Sequence, residues 1–143
     1  MKRLCILIAA AAALYCTAGA ETPADSTAAA IGPRFAVADR HFYMGLFEEG
    51  ESRTLPLTVY NRGDEPLAIV NIFTECGCTT TQFERTPVAP GDSTVINITY
   101  DSRGRGTGEF MRLLRIRTND STTSPYTLFV EGRVKQPVKR TQP

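Results

Sequence analysis

Histidine and tryptophan are almost missing from this chain of 143 residues, which has no tryptophan and a single histidine, His41. A nucleophilic catalytic triad depends on a histidine base, and no nucleophile accompanies His41, whose aromatic neighbours Phe42 and Tyr43 are typical of a strand end. The chain also lacks an excess of one charge, because 16 basic and 15 acidic residues leave a formal net charge of +1. We therefore predict a protein that is not an enzyme and that does not bind nucleic acid.

Cysteine is scarce too, and two of the four cysteines fall within residues 1–20. This segment has the three parts of a secretory signal peptide: the basic pair Lys2-Arg3, the apolar run 4–14 and the small-residue site Ala18-Gly19-Ala20. The apolar run is shorter than the roughly 20 residues that a membrane-spanning helix needs. We predict cleavage before Glu21, export to the periplasm or cell envelope, and no membrane-spanning segment in the mature chain.

Lipid attachment at Cys16 is the alternative to simple cleavage. It is disfavoured because a bulky Tyr15 precedes this cysteine, where a lipoprotein site needs a small residue. After cleavage the mature chain keeps Cys76 and Cys78, in a compartment where disulfides can persist.

The mature chain divides into a flexible leader (21–33), one domain (34–134) and a flexible tail (135–143). Within the domain, about seven short apolar segments are separated by turn signals, and residues 54–60 alternate between apolar and polar as a half-buried strand does. No amphipathic helix is evident. The pattern predicts an all-β, immunoglobulin-like β-sandwich, although the tryptophan and the widely spaced cysteine pair of antibody domains are missing.

Three local features lead to finer predictions. The nearly continuous apolar run 67–73 is typical of a central strand. Gly45 interrupts the aromatic segment 41–47. Gly63, in the turn Asn61-Arg62-Gly63-Asp64, is expected to have a positive φ.

The chain resembles a bacterial domain family of unknown function, DUF1573. The resemblance extends from about Phe35 to Val134. It is carried by the segments Leu57–Leu67, Cys76-Gly77-Cys78-Thr79, Pro90-Gly91, Ile96–Tyr100, Gly108-Glu109-Phe110, Thr118-Asn119 and Glu131–Val134. It implies a secreted or periplasmic immunoglobulin-like domain, similar to the sandwiches of major sperm protein and of cilium-associated proteins. It implies no reaction.

Cys76-Gly77-Cys78 is the sharpest chemical signal. In an extended strand the two Cα atoms would lie roughly 6.5 Å apart, at the limit for a disulfide, so a bridge needs a tight turn at Gly77. The first interpretation is a structural pair, reduced or bridged. The others are a soft-metal site for Cu(I), with His41, Met44 and Met111 as the available further ligands, and a redox-active thiol pair. Structural zinc would need four ligands.

Taken together, these patterns favour a non-enzymatic exported binding or structural module. We expect it to contact an envelope protein through a free sheet edge. The alternative is a copper or thiol-redox protein that uses Cys76 and Cys78.

Overall fold

The computed structural model describes residues 31–138. The predicted signal peptide, Cys16, most of the predicted leader and residues 139–143 lie outside this range. The described chain forms eight strands: β1 Phe35–Ala36, β2 His41–Glu48, β3 Ser52–Asn61, β4 Ile69–Thr74, β5 Thr79–Phe83, β6 Ser93–Asp101, β7 Gly108–Thr118 and β8 Tyr126–Lys135. It contains no helix long and apolar enough to cross a membrane.

The strands form two four-stranded sheets, sheet A in the order β1-β3-β6-β5 and sheet B in the order β2-β8-β7-β4. Neighbouring strands are antiparallel except β2 and β8, which run parallel. The described chain passes between the sheets five times, in the connections β1–β2, β2–β3, β3–β4, β4–β5 and β6–β7. The predicted all-β sandwich is confirmed, and β8 extends one residue into the predicted tail.

The core lies between the sheets and is supplied by alternate residues of each strand. In β3, Leu57 and Val59 point inward, as the alternation predicted. Tyr100 of β6 stacks on Phe110 of β7 with ring centroids 3.9 Å apart, which joins the two sheets. The side chains buried to 1% or less include Val59, Leu67, Ile96, Ile98, Tyr100, Leu114, Ile116, Leu128 and Val130.

The prediction that residues 67–73 form a central strand is wrong. β4 is an edge strand of sheet B, paired only with β7. A bulge between Ile69 and Asn71 disrupts its register, and Val70 and Phe73 are 49% and 48% exposed. A continuous apolar run is therefore not a sign of burial on both faces here, because two of its members face solvent.

Asn61, at the end of β3, is fully buried and uses its whole side-chain amide. Its Oδ1 accepts hydrogen bonds from the backbone amides of Arg34 (3.3 Å) and Gly63 (3.0 Å). Its Nδ2 donates to the carbonyl oxygens of Glu65 (2.7 Å) and Val88 (2.9 Å). One side chain thus joins the chain before β1 to the loops that follow β3 and β5.

Gly63 is required for close packing and not for a left-handed backbone, so the predicted positive φ is wrong. A Cβ at Gly63 would lie 1.9 Å from the carbonyl oxygen of Gly32 and 2.7 Å from the amide nitrogen of Arg34. Asp64 holds the same segment, because its carboxylate accepts the amides of Ile31 (2.8 Å) and Gly32 (2.7 Å). Gly45, by contrast, has a φ of 85°, within the β2 irregularity that the sequence indicated.

Asp120, in the turn between β7 and β8, is buried and ties that turn to the start of β1. Its carboxylate accepts the amide of Phe35 (2.9 Å) and pairs with Arg34 (3.2 Å). Burial by itself raises the pKa of Asp120, but hydrogen bonds from the hydroxyls of Thr122 and Thr123 and from backbone amides hold it well below its ordinary value. The carboxylate is therefore charged in the folded protein across the neutral range.

Asn61→Asp should lower the free energy of unfolding by about 3 kcal/mol, because a carboxylate oxygen would then face the carbonyl oxygens of Glu65 and Val88. Asn97→Asp, on the exposed face of β6, is the matched control and should change stability by less than about 0.5 kcal/mol. Urea unfolding at neutral pH measures both variants. Equal losses in the two variants would show that Asn61 has no special role.

Candidate functional site

The Cys76-Gly77-Cys78 segment forms the turn that carries the chain from β4 in sheet B to β5 in sheet A. A disulfide joins the two cysteines, whose Cα atoms lie 5.2 Å apart. The prediction that the pair ends a central strand is wrong, because both strands lie at sheet edges. The bridged form of the structural interpretation is the state that the structure shows.

Backbone hydrogen bonds hold this turn in place. The amide of Thr79 donates to the carbonyl oxygen of Cys76 (3.2 Å), and the amide of Asp101 donates to that of Cys78 (2.8 Å). Gly77 does not have a positive φ, and a Cβ at this residue would meet no atom within 4 Å, so the tight turn does not depend on glycine. The turn is fixed by its hydrogen bonds and by the bridge.

The two cysteines pack against the core to different degrees. Cys78 is 2% exposed and Cys76 is half-buried against the core. The hydroxyl of Thr79 contacts both sulfurs, at 3.9 Å from Cys76 Sγ and 3.8 Å from Cys78 Sγ. Within residues 31–138, neither sulfur is hydrogen-bonded to a cationic side chain that could stabilise a thiolate.

The further ligands considered for a metal site are dispersed. His41 and Met111 lie on the outer face of sheet B, where Met111 is 55% exposed, whereas Met44 points into the core. The described residues contain no group of three or more His, Cys, Asp or Glu side chains that could hold a metal ion. Cu(I) binding by Cys76 and Cys78 stays a prediction, and it requires that the bridge first be reduced.

His41 has an acidic partner. Its Nδ1 lies 2.5 Å from Glu131 Oε1, and its ring stacks on Phe129 with centroids 4.9 Å apart. A depression of about 530 Å³ lies on the outer face of sheet B, lined by residues that include Tyr43, Met111 and Glu131. Its lining supplies no serine, threonine or cysteine, so the His41–Glu131 pair has no nucleophile there to activate.

The sheet edges are the other candidate sites. The end strand β1 of sheet A is only two residues long, and the edge that β3 exposes beyond β1 is protected. β1 pairs only with Tyr60 and Asn61, which leaves the rest of β3 unpaired on that side. On this side of β3, the amide of Arg62 donates to the carbonyl oxygen of Arg34 (2.9 Å). Because the backbone groups of every second residue point to the same side of a strand, those of Pro56 also point to this side. Proline offers no N–H there, which limits pairing with another chain.

The edge formed by β2 is protected by an arginine. β2 is irregular between Tyr43 and Leu46. Arg53 crosses from β3, and its Nη1 donates to the carbonyl oxygens of Met44 (2.9 Å) and Leu46 (3.2 Å). These two acceptors are therefore already occupied.

The edge formed by β4 has a bulge at Val70 and a side-chain cap. The amide of Ile72 donates to Asn71 Oδ1 (2.9 Å), so this N–H is not free to join a further strand. Bulges and local caps of this kind are the devices that natural sheets use against pairing at their edges.

The edge formed by β5, Thr79–Phe83, has none of these devices, and we call its free side the β5 edge. The strand contains no proline, no charged residue and no bulge. The carbonyl oxygen of Cys78 accepts the amide of Asp101 in β6. Since successive residues direct their backbone groups to opposite sides of a strand, those of Thr79, Thr81 and Phe83 point away from β6. The N–H of Thr79 is used in the turn. The N–H and C=O groups of Thr81 and of Phe83 have no backbone partner within residues 31–138.

A family model matches residues 35–134 of this sequence, and its description is a protein of unknown function, DUF1573. The chain belongs to the DUF1573 family. The resemblance seen in the sequence is thereby confirmed, from the start of β1 to the last residue but one of β8. No curated protein matches this DUF1573 chain.

Solved structures show the same fold in distant proteins. A protein of unknown function from Porphyromonas gingivalis is 22% identical with a TM-score of 0.64, and the match covers 76% of this chain but only 50% of that one. The PapD-like domain 7 of human CEP192 is 10% identical with a TM-score of 0.54, covering 72% of this chain and 86% of that domain. The VesB protease of Vibrio cholerae is 9% identical with a TM-score of 0.53, covering 73% and 32%. At these identities the likeness is one of fold alone.

Replacing the cysteines by Cys76→Ser/Cys78→Ala should leave a folded protein. A bridge that closes a three-residue loop restricts the unfolded chain little, and its loss should lower the free energy of unfolding by about 1.6 kcal/mol, against about 4.7 kcal/mol for a loop of 100 residues. Wild-type protein in a thiol-free reductant should unfold at the same urea concentration as the variant. A variant without a cooperative transition would show that the fold depends on the bridge.

Proposed function

We propose that this DUF1573 chain is an exported, non-enzymatic binding module that recruits another polypeptide by strand addition at the β5 edge. The observation that carries the proposal is the contrast between the edges: β2, β3 and β4 carry blocking devices within the described residues, whereas β5 carries none. In strand addition the backbone supplies the affinity and alternate side chains supply the specificity.

The side chains around the β5 edge favour an uncharged or apolar segment. On the outer face, β5 presents Thr80 and Gln82. On the inner face, Phe83 and Ile72 of the neighbouring β4 are half-buried against the core. An added strand with apolar residues at alternate positions would cover these two side chains and gain hydrophobic free energy.

Export is supported by the signal-peptide pattern of residues 1–20 and by the disulfide between Cys76 and Cys78, a bond typical of oxidising compartments. The non-enzymatic role is supported by the lining of the depression on sheet B, which offers no serine, threonine or cysteine for the His41–Glu131 pair to activate.

Strand addition can be tested with a fluorescent heptapeptide of alternating valine and threonine. Thr81→Pro removes the central N–H of the β5 edge without removing a hydrogen bond to β6, so it should weaken peptide binding about tenfold or more, as measured by fluorescence anisotropy. Thr54→Pro is the matched control, because it places proline on the free side of β3 and should leave binding unchanged.

The peptide provides a second control when its alternate backbone nitrogens are methylated, since it then keeps its side chains but loses its donors. This peptide should not bind. Equal binding of both peptides, or equal loss in both proline variants, would rule out strand addition at β5.

Export can be tested by expressing the full chain in a Gram-negative host and measuring the intact mass of the protein in the envelope fraction. We expect a chain that begins at Glu21, because the small-residue site ends at Ala20. A mass that retains Met1, or one that includes a lipid on Cys16, would contradict simple cleavage.

A further inference from the structure

We infer that the polypeptide that occupies the β5 edge is a second copy of this chain, paired antiparallel through β5 about a twofold axis at Thr81. This inference rests on the proposed function, because it names the occupant of the same edge. A twofold contact requires a surface that is complementary to itself, and β5 has that property in its backbone, its side chains and its charge.

The backbone groups of β5 fit a symmetric pair. Thr79, Thr81 and Phe83 direct their free backbone groups to the edge, and Thr81 is the middle residue of the strand. In antiparallel pairing about Thr81, its N–H and C=O exchange reciprocal hydrogen bonds with those of Thr81 in the second copy. The N–H of Phe83 then faces the carbonyl oxygen of Thr79 of the other copy.

This register leaves the N–H of Thr79 without an intermolecular partner, and the structure already accounts for that group. It donates to the carbonyl oxygen of Cys76 within the disulfide turn. The register therefore leaves no buried donor over, and the carbonyl oxygen of Phe83, at the end of the strand, is the one group of the β5 edge that is left without a partner.

The side chains fit the same register. On the outer face, Thr80 of one copy stands opposite Gln82 of the other, so two uncharged polar side chains meet and no like charges oppose each other. On the inner face, Phe83 stands opposite Thr79 and beside the Cys76–Cys78 bridge of the second copy. An aromatic ring next to a disulfide forms a favourable sulfur–aromatic contact, and half-buried Phe83 would lose its remaining exposure to water.

The size of the contact predicts a reversible dimer. A five-residue strand is about 17 Å long, so pairing of β5 with its copy gives a small contact, of the kind that weak and transient complexes use. The two A sheets would join into one continuous sheet in the order β1-β3-β6-β5-β5-β6-β3-β1.

Engineered cysteines give a sharp test on the mature chain, residues 21–143. In the proposed register the two Thr81 residues are directly opposite, with Cα atoms about 5.5 Å apart, which suits a disulfide. Two Thr80 residues are diagonal neighbours and lie about 7 to 8 Å apart, beyond that range. Under mild oxidation, Thr81→Cys should give a covalent dimer on a non-reducing gel, whereas Thr80→Cys should stay monomeric.

Sedimentation velocity over a range of concentrations provides the second measurement. The wild-type chain should show a monomer–dimer equilibrium, Thr81→Pro should weaken it about tenfold or more, and Thr54→Pro should leave it unchanged. Equal crosslinking of both cysteine variants, or a wild-type chain that stays monomeric throughout, would overturn the second copy as occupant.

The peptide assay separates this failure from failure of strand addition itself. A monomeric chain that still binds the valine–threonine peptide in a Thr81-dependent way would leave strand addition standing and assign the edge to a different polypeptide. A monomeric chain that binds no peptide would overturn both proposals.

Discussion

The amide of Asn61 is the interaction on which the arrangement of this sandwich depends. It has two donors and an acceptor with two lone pairs, and all four capacities are used by backbone groups from separate parts of the chain. These backbone groups lie outside the strands, and of the two carbonyl oxygens that of Val88 also accepts the amide of Leu67 in an isolated bridge (2.9 Å). One buried side chain thus performs the task that regular hydrogen bonding performs elsewhere, and it positions the chain before β1, the entry to β4 and the loop after β5.

Close packing around Asn61 explains its neighbours. Gly63 has no room for a Cβ because the backbone of Gly32 passes against it, and Asp64 holds that backbone through two amides. At the start of β1, Asp120 also accepts the amide of Phe35 and pairs with Arg34. The short strand β1 is therefore held by several polar contacts at its N-terminal end, which compensates for its having only two ladder residues.

Local patterns predicted the features that depend on local physics. The alternation of Leu57 and Val59 identified the buried face of β3, because the side chains of a strand alternate between its faces whatever the topology. The position of a strand within its sheet is not local, and for that reason the apolar run containing Val70 and Phe73 was misplaced at the centre. The β5 edge was missed for the same reason. Its uncharged sequence without proline is visible in residues 79–83, but only the strand order shows that this segment lies at an edge. Gly63 was recognised as necessary, but the wrong cause was assigned, since its constraint comes from Gly32 about 30 residues away.

The parallel pairing of β2 with β8 has a consequence for the order of folding. His41 pairs with Phe129, so a strand near the beginning of the domain needs the last strand before sheet B can form. Contacts between such distant parts of a chain slow folding, since a large loop must close before they contribute free energy. A chain that emerges from the ribosome or crosses a membrane with its N-terminus first cannot complete this sandwich until β8 has followed. The topology itself thus delays folding until the whole domain has emerged.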